Sequence, residues 1–499
     1  ARQDFDWGQG FSMTVLALRL SAQHNGVSRL HGAVSRRMWH FLWPGVEADE
    51  IPISSITNGV HTATWLAPEL AGLYAQHLGA DWYDHLDEPA RWEGVAHIPD
   101  GDLWRVHQQR KAALIEFARA RLARQRMRVG EGGPQVAAAA RLLDPEALTL
   151  GFARRFATYK RATLLFRDPE RLARLLGDPK RPLQIVFAGK AHPNDKPGQE
   201  FIRQVYEFSR DPRFAGKVVF LEDYDIDMAR YLVSGVDVWL NTPIRPHEAS
   251  GTSGQKASLN GVPNCSIIDG WWEEGFNGAN GWAIGEQREY VDEETRDETD
   301  AQALYATLEE SIIPSYYDAR HDDVPHIWTA IMKEAIRTLA PAFSMRRMLK
   351  DYTEQLYQPA LRLGQRMDAD HFHLARDLAD WKRRVAAAWD GVALRAVGPL
   401  EGQVAIGQTT PVEAFVRLGA LAPEDVEVAL VAALDEGGTL RALHATPMRP
   451  DAHAGAHGER RYQAELASDA NGSLVYGVRV RPSHPGLAHP FEMGLARWA

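Results

Sequence analysis

The sequence predicts an α/β protein with a Rossmann-like parallel sheet at its centre and a small β-sandwich at its end. Three observations carry this. From residue 147 short apolar runs alternate with helix-like stretches, and such alternation means parallel strands joined by crossover helices. The last hundred residues alternate polar and apolar at period two between Gly, Pro and Asp turns, the pattern of an antiparallel sandwich. A chain of 499 residues has room for about three domains by the usual size prior.

Composition narrows the function classes. Hydrophobic residues at 45% and charged ones at 24% are ordinary for a soluble globular protein. A net charge of −10 and a pI near 6.0 argue against nucleic acid as the main partner. One cysteine excludes an internal disulfide and fits a reducing compartment. No apolar run nears the roughly 18 residues that span a membrane, and no signal-peptide pattern is present, so a cytoplasmic location without a membrane partner is expected. The chain starts at Ala1, not Met, in helix-like sequence; the expectation is a piece of a longer chain.

In order, residues 11–43 place apolar and basic positions at helical spacing, interrupted at Asn25-Gly26. His31 there either packs between helices or touches an active site. The run ISSITNGVHTATWLAPEL has a turn at Asn58-Gly59, with Trp65 shortly after, as a core or a site residue. Residues 102–128 form a basic amphipathic helix whose charge reads as a solvated face.

The runs ALTLGFA, LQIVFAG, KVVFLE, VDVWLN and PNCSIID then read as strands, with helix-like stretches near 159–176, 197–209, 226–234 and 251–261. In such sheets ligands gather beyond the strands' carboxyl ends. Just past the first strand Arg154, Arg155 and Lys160 would bring three cations to one sheet edge, as an anion site or as a solvated basic face. FAGKAHPNDKPG lacks the upstream glycine and the Ser/Thr of a nucleotide P-loop.

The central stretch is Glu248 to Gly261, EASGTSGQKASLNG. Its small residues precede a short helical segment, so several N–H groups can converge on one phosphate with the helix dipole behind them. Lys256 sits one turn further on and is among only ten lysines. Such a lysine could anchor pyridoxal phosphate through a Schiff base; the alternative is an ordinary glycine-rich turn capping a helix. Beyond it, Asp269 and Glu273 could bind sugar hydroxyls, or Asp269 could hold a turn. Residues 298–390 read as helices. GQVAIGQ, PVEAFVRLG, VEVALVAAL, YQAELA and LVYGVRVRP supply the sandwich strands.

The Glu-Ala-Ser-Gly-Thr run followed by Lys256 resembles the cofactor-lysine motif of the PLP-dependent glycogen/α-glucan phosphorylases. NGVSRLH, the TNGV…W segment and the Arg-Arg…Tyr-Lys-Arg run follow in that family's order, over roughly residues 1 to 390. The sandwich tail is similar to that of bacterial short-type members. The resemblance implies a GT-B-type fold. Residues 1–130 would be the end of a truncated N-terminal α/β domain, 131–325 the Rossmann-like PLP/phosphate-binding domain, 326–392 closing helices and 393–499 the sandwich.

It also implies roles. Lys256 would carry the cofactor, with Arg154 facing its phosphate where relatives usually have lysine. Arg155 would clamp inorganic phosphate, and Lys160 would lie between the two phosphates. Tyr224 and Trp65 would flank the cofactor, and Thr252, Ser253 and Gly254 would cap its phosphate. Asn58, Tyr159, Glu248, Ala249, Ser250 and Gly251 would meet the sugar. Asp225 stands where many relatives are basic, and HTA at His61 is no counterpart of the family's sugar-contacting histidine.

The implied reaction moves the terminal glucosyl residue of an α-1,4-glucan to inorganic phosphate and gives α-glucose 1-phosphate with retention. Lys256, Arg155 and Lys160 are its catalytic candidates, pyridoxal 5′-phosphate its cofactor, and α-glucan and phosphate its partners; no metal is expected, and a homo-oligomer stays open. A nucleotide-sugar glucosyltransferase of glycogen-synthase type and an inactive glucan-binding subunit are the rivals.

Overall fold

The structure, a computed structural model, describes residues 10–214, 216–288, 290, 292–318, 320–398, 406–437, 440–454, 458–467 and 471–499. Two compact units result, one of Gly26–His31 with Ser55–Tyr352 and one of Ala1–Asn25, Gly32–Ser54 and Thr353–Ala499.

In the first unit, helix α1 (Asp100–Arg128) leads to β1 (Leu148–Arg155). There follow α2 (Pro169–Gly177), β2 (Leu183–Lys190), α3 (Lys196–Arg210), β3 (Val218–Leu221) and α4 (Ile226–Gly235). Next come β4 (Val238–Asn241), α5 (Thr252–Leu259), β5 (Asn264–Ile267) and β6 (Gly281–Ile284). The six strands run parallel in the order β3-β2-β1-β4-β5-β6. That order reverses between β1 and β4, and the crevice outside their carboxyl ends is where such sheets take ligands.

Period-two alternation feeds two cores. Leu148, Leu150 and Phe152 of β1 share one with Ile185 and Phe187 of β2. On the opposite face Ala153, Val186 and Ala188 pack with Leu114 of α1 and Met228 of α4. Both faces are therefore dry, which is why these strands read as unbroken apolar runs.

The expected helix over 159–176 is broken into two tight turns, Thr158–Lys160 and Leu164–Phe166, before α2. Arg161 is the reason. Its backbone is left-handed at φ +44°, and its guanidinium donates to the carbonyls of Thr242 (3.0 Å) and Pro243 (2.8 Å) and pairs with Asp297 and Asp300. The solvated face expected of α1 also fails at two positions. Lys111 and His107 are wholly buried, on the two oxygens of Asp237 at 2.6 and 2.7 Å.

Helices α6 (Glu293–Thr307), α7 (His326–Ala342) and α8 (Met345–Tyr352) follow in this unit. In the second, Gln358–Ala388 is helical apart from a break at Ala369–Phe372. Strands β7 (Ala393–Val397), β8 (Thr409–Arg417), β9 (Val426–Asp435), β10 (Leu440–Pro447), β11 (Arg449–Ala454), β12 (Glu459–Ala467), β13 (Ser473–Pro482) and β14 (Arg497–Trp498) follow. They form antiparallel sheets β7-β8-β12-β11 and β10-β9-β13-β14. Val412, Val416, Tyr462 and Leu466 of one sheet share a core with Val428, Leu430, Val478 and Val480 of the other. Most of the expected GQVAIGQ strand lies outside the described residues. Among the described residues no helix is long and apolar enough to cross a membrane.

Candidate active site

The carboxyl ends of β1 and β4 gather the cations. Arg154, the penultimate residue of β1, is buried, and its Nη2 donates to Oδ1 of Asn241, the last residue of β4, at 2.6 Å. Its Nη1 stands 3.5 Å from Oε2 of Glu248 yet has no hydrogen-bond acceptor among the described residues. Lys160, held by the Thr158–Lys160 turn, donates to the same oxygen at 2.8 Å. Burial and the neighbouring Arg154 push its ammonium down to about 8 against the pull of Glu248. An anion thus lies lodged between two cations at the sheet's switch point. Arg155, one residue on, is exposed and near enough to Tyr159 to pull its phenol down, although burial prevails and raises it. The Lys160 ammonium also sits over the Tyr159 ring, 4.9 Å from its centroid.

The loop from Glu248 to Gly251 is built from below by the turn Asp269-Gly270-Trp271. Asp269 accepts from the Glu248 N–H at 3.0 Å and the Gly270 N–H at 2.8 Å, and Trp271 N–H donates to the Ser250 carbonyl at 2.8 Å. Burial pushes the Asp269 carboxyl up to about 7. Ser250 Oγ is buried without a partner among the described residues, and the Ala249 carbonyl accepts from Ser28 Oγ at 2.7 Å. Gly251 then turns at φ +87°, a conformation that favours glycine, and α5 begins at Thr252. A Cβ on Gly254 would lie 2.4 Å from Asn264 Oδ1, so the helix can pack there only without a side chain. Ser253 Oγ takes the Trp239 indole N–H at 3.2 Å.

Lys256 projects from the second turn of α5, with its Nζ over the ring of Trp65 at 3.7 Å from the centroid. Among the described residues the amine has no acceptor, and burial lowers it from the ordinary lysine value. Two buried amides of the same helix region hold the Trp65 segment. Gln255 Nε2 donates to the Asn58 carbonyl at 3.0 Å. Asn260 donates to the Trp65 carbonyl and accepts from the Ala67 N–H, each at 2.8 Å.

The structure therefore brings Arg154, Lys160, Tyr159 and Glu248 to one cluster and Trp65 and Lys256 to a second, with Asn58 joined to α5 next to Lys256. Tyr224 lies near enough to Arg154 for the guanidinium to pull its phenol down, although burial prevails and raises it to about 12. Asp225 instead N-caps α4, accepting from Met228 N–H at 2.8 Å, and pairs with Arg121. His31 accepts from the Val27 N–H at 3.1 Å, and Glu273 pairs with Arg245. Sequence reasoning missed Asn241, Gln255 and Asn260. Only the position of Asn241 at a strand's carboxyl end could have marked it.

The model of the family described as Carbohydrate phosphorylase matches residues 6–354, and that of the Glycogen phosphorylase C-terminal domain matches 389–499. A maltodextrin phosphorylase of Thermococcus litoralis is 42% identical over 496 residues, 98% of this chain and 57% of the relative. A glycogen phosphorylase of Mycobacterium tuberculosis is 40% identical over 491 residues, 98% and 56% of the two chains. Another of Aquifex aeolicus is 46% identical over 358 residues, 72% and 51%. The chain spans about half the length of the curated relatives it matches.

Proposed function

This chain belongs to the carbohydrate phosphorylase family, and on that premise we propose that it serves an α-1,4-glucan phosphorylase. The terminal glucosyl residue of a glucan would pass to inorganic phosphate, giving α-glucose 1-phosphate with retention, in a GT-B-type cleft. The observation that carries this reading is the Glu248 carboxylate held by Lys160 at 2.8 Å and facing Arg154 at 3.5 Å. A site that seats one anion between two cations suits a phosphate.

The residues fit pyridoxal 5′-phosphate as the cofactor. Arg154 Nη1 and Ser250 Oγ are buried polar atoms without hydrogen-bond partners among the described residues, and Lys256 offers a half-buried amine lowered in pKa beside an indole face. Lys256 would hold the cofactor covalently, Tyr224 and Trp65 would flank it, and Arg154, Thr252, Ser253 and Gly254 would hold its phosphate. Bound there, its phosphate supplies a proton donor and acceptor next to the substrate phosphate.

The chain's own groups do the rest. Lys160 and Arg155 would keep the substrate phosphate close to other negative charge, since two dianions a few ångström apart repel strongly unless cations intervene. Glu248, Tyr159, Asn58 and the backbone from Ala249 to Gly251 would orient the sugar.

The test is borohydride reduction of the chain with pyridoxal 5′-phosphate, followed by peptide mapping. A pyridoxyl group on Lys256, with absorbance at roughly 330 to 420 nm before reduction, is expected. A label elsewhere, or none, overturns the assignment and favours a cofactor-free transferase.

A further inference from the structure

Lys256 and Trp65 are 191 positions apart in sequence, so something must hold the ring over the amine. α5 ends at Leu259, and the next side chain, Asn260, is 1% exposed. Its amide nitrogen donates to the carbonyl of Trp65 (2.8 Å) and to that of Lys256 (2.9 Å), while its oxygen accepts from the N–H of Ala67 (2.8 Å). One planar amide therefore touches the backbone of both partners of the cation–π contact and fixes the chain on the far side of the tryptophan.

Three bonds in fixed directions leave that segment little freedom to slide. Gln255 and Tyr74, whose hydroxyl donates to the Leu259 carbonyl at 2.9 Å, restrain the same helix against neighbouring segments without touching any of the three backbone groups that Asn260 holds.

We infer that Asn260 is a positioning residue that holds the Trp65 ring over the Lys256 amine. It deepens the proposed function, resting on that reading only for what the amine does. Its physical content is separate. The ring covers one face of the amine at 3.7 Å from its centroid, and burial lowers the lysine from its ordinary value. Loosening the strap lets water in and returns the amine toward ordinary lysine behaviour.

The test reads the amine directly. The full chain is treated with hydroxylamine and dialysed, so that Lys256 is free whatever it carried, then labelled with acetic anhydride across a pH series and mapped by mass spectrometry. Exposed Lys180 serves as the internal reference. Asn260→Asp keeps the shape and the acceptor for Ala67 but loses both donors. Ala67→Pro deletes only the N–H that Asn260 accepts, at φ −66°, which proline adopts, after a residue already extended at ψ 130°.

Both variants are expected to raise the labelling midpoint of Lys256, Asn260→Asp by about one pH unit, with Lys180 unmoved. Trp65→Leu should give the same rise, and the Asn260→Asp/Trp65→Leu double variant no more than either alone. Midpoints that stay in place, or rises that add in the double variant, overturn the inference. If Asn260→Asp does not fold, Ala67→Pro alone and combined with Trp65→Leu decides by the same criterion. Failure of the borohydride mapping leaves these midpoints standing, and an unmoved midpoint leaves the mapping standing.

Discussion

The Lys160 ammonium donates to Oε2 of Glu248 at 2.8 Å, and that oxygen also faces the buried guanidinium of Arg154. A substrate phosphate drawn to these cations has to compete with a carboxylate already there. Glu248→Gln removes the competitor and leaves two largely buried cations unneutralised. Stability should drop by about 3 kcal/mol, and added inorganic phosphate should restore more of the melting temperature than it adds to the unsubstituted chain. Thermal melts with and without phosphate check this; equal gains would refute it.

Asp269 sets a pH dependence of definite sign. Its folded value of about 7 lies above the ordinary 3.8, so the folded state binds the proton more tightly. The stability this gives is whole below pH 3.8 and is lost as pH rises to 7, by up to about 4 kcal/mol for a shift of this size. Asp269→Asn should flatten that limb. Urea unfolding at pH 4.5 and pH 7 should show a smaller difference for the variant than for the parent.

Lys111 and His107 anchor α1 to the sheet through Asp237, whose second oxygen also accepts from the Thr149 N–H at 2.7 Å. Burial pushes the Asp237 carboxyl up, but Lys111 and His107 outweigh it and hold it below 3.8. The stability it contributes is present above 3.8 and lost as pH falls through the folded value. Lys111→Met should cost about 3 to 5 kcal/mol at neutral pH, with a smaller penalty in acid. A neutral-pH loss under 1 kcal/mol by chemical denaturation would count against the network.

Gly254→Ala places a methyl 2.4 Å from Asn264 Oδ1 and 2.8 Å from the Trp271 ring. Either α5 shifts or Asn264 gives up its bonds to the Gly254 carbonyl and Ser258 Oγ. The variant should lose about 2 kcal/mol or more and capture pyridoxal 5′-phosphate at Lys256 several-fold more slowly. An unchanged rate would mean that the packing of α5 does not control the lysine.

How much of this could be read in advance follows from where each residue's partners lie. Strands β1 to β5 were readable because both their faces are buried, and the cations of 154–160 because a strand's end precedes them. β6 was not, since Gly281–Ile284 offers four residues amid a Trp- and Gly-rich run. Lys111 and His107 looked like part of a wet face because the carboxylate that buries them is more than 120 positions away. Asn260 and Gln255 carried no signal of the contacts that matter, the carbonyls of Trp65 and Asn58 being 195 and 197 positions distant. The expected helix at 159–176 fell to long-range bonds of Arg161 that no local propensity expresses.

The bond between Asn260 and Ala67 closes a chain loop of 193 residues. The entropy of such closure grows only with the logarithm of length, so the finished contact is not penalised heavily. Its timing is another matter, because contacts of large sequence separation form late. The indole and the amine lie on segments separated by strands β1 to β4 in the chain. A newly made chain must bring those two distant segments together before its lysine is shielded, and until then that amine is open to any passing aldehyde.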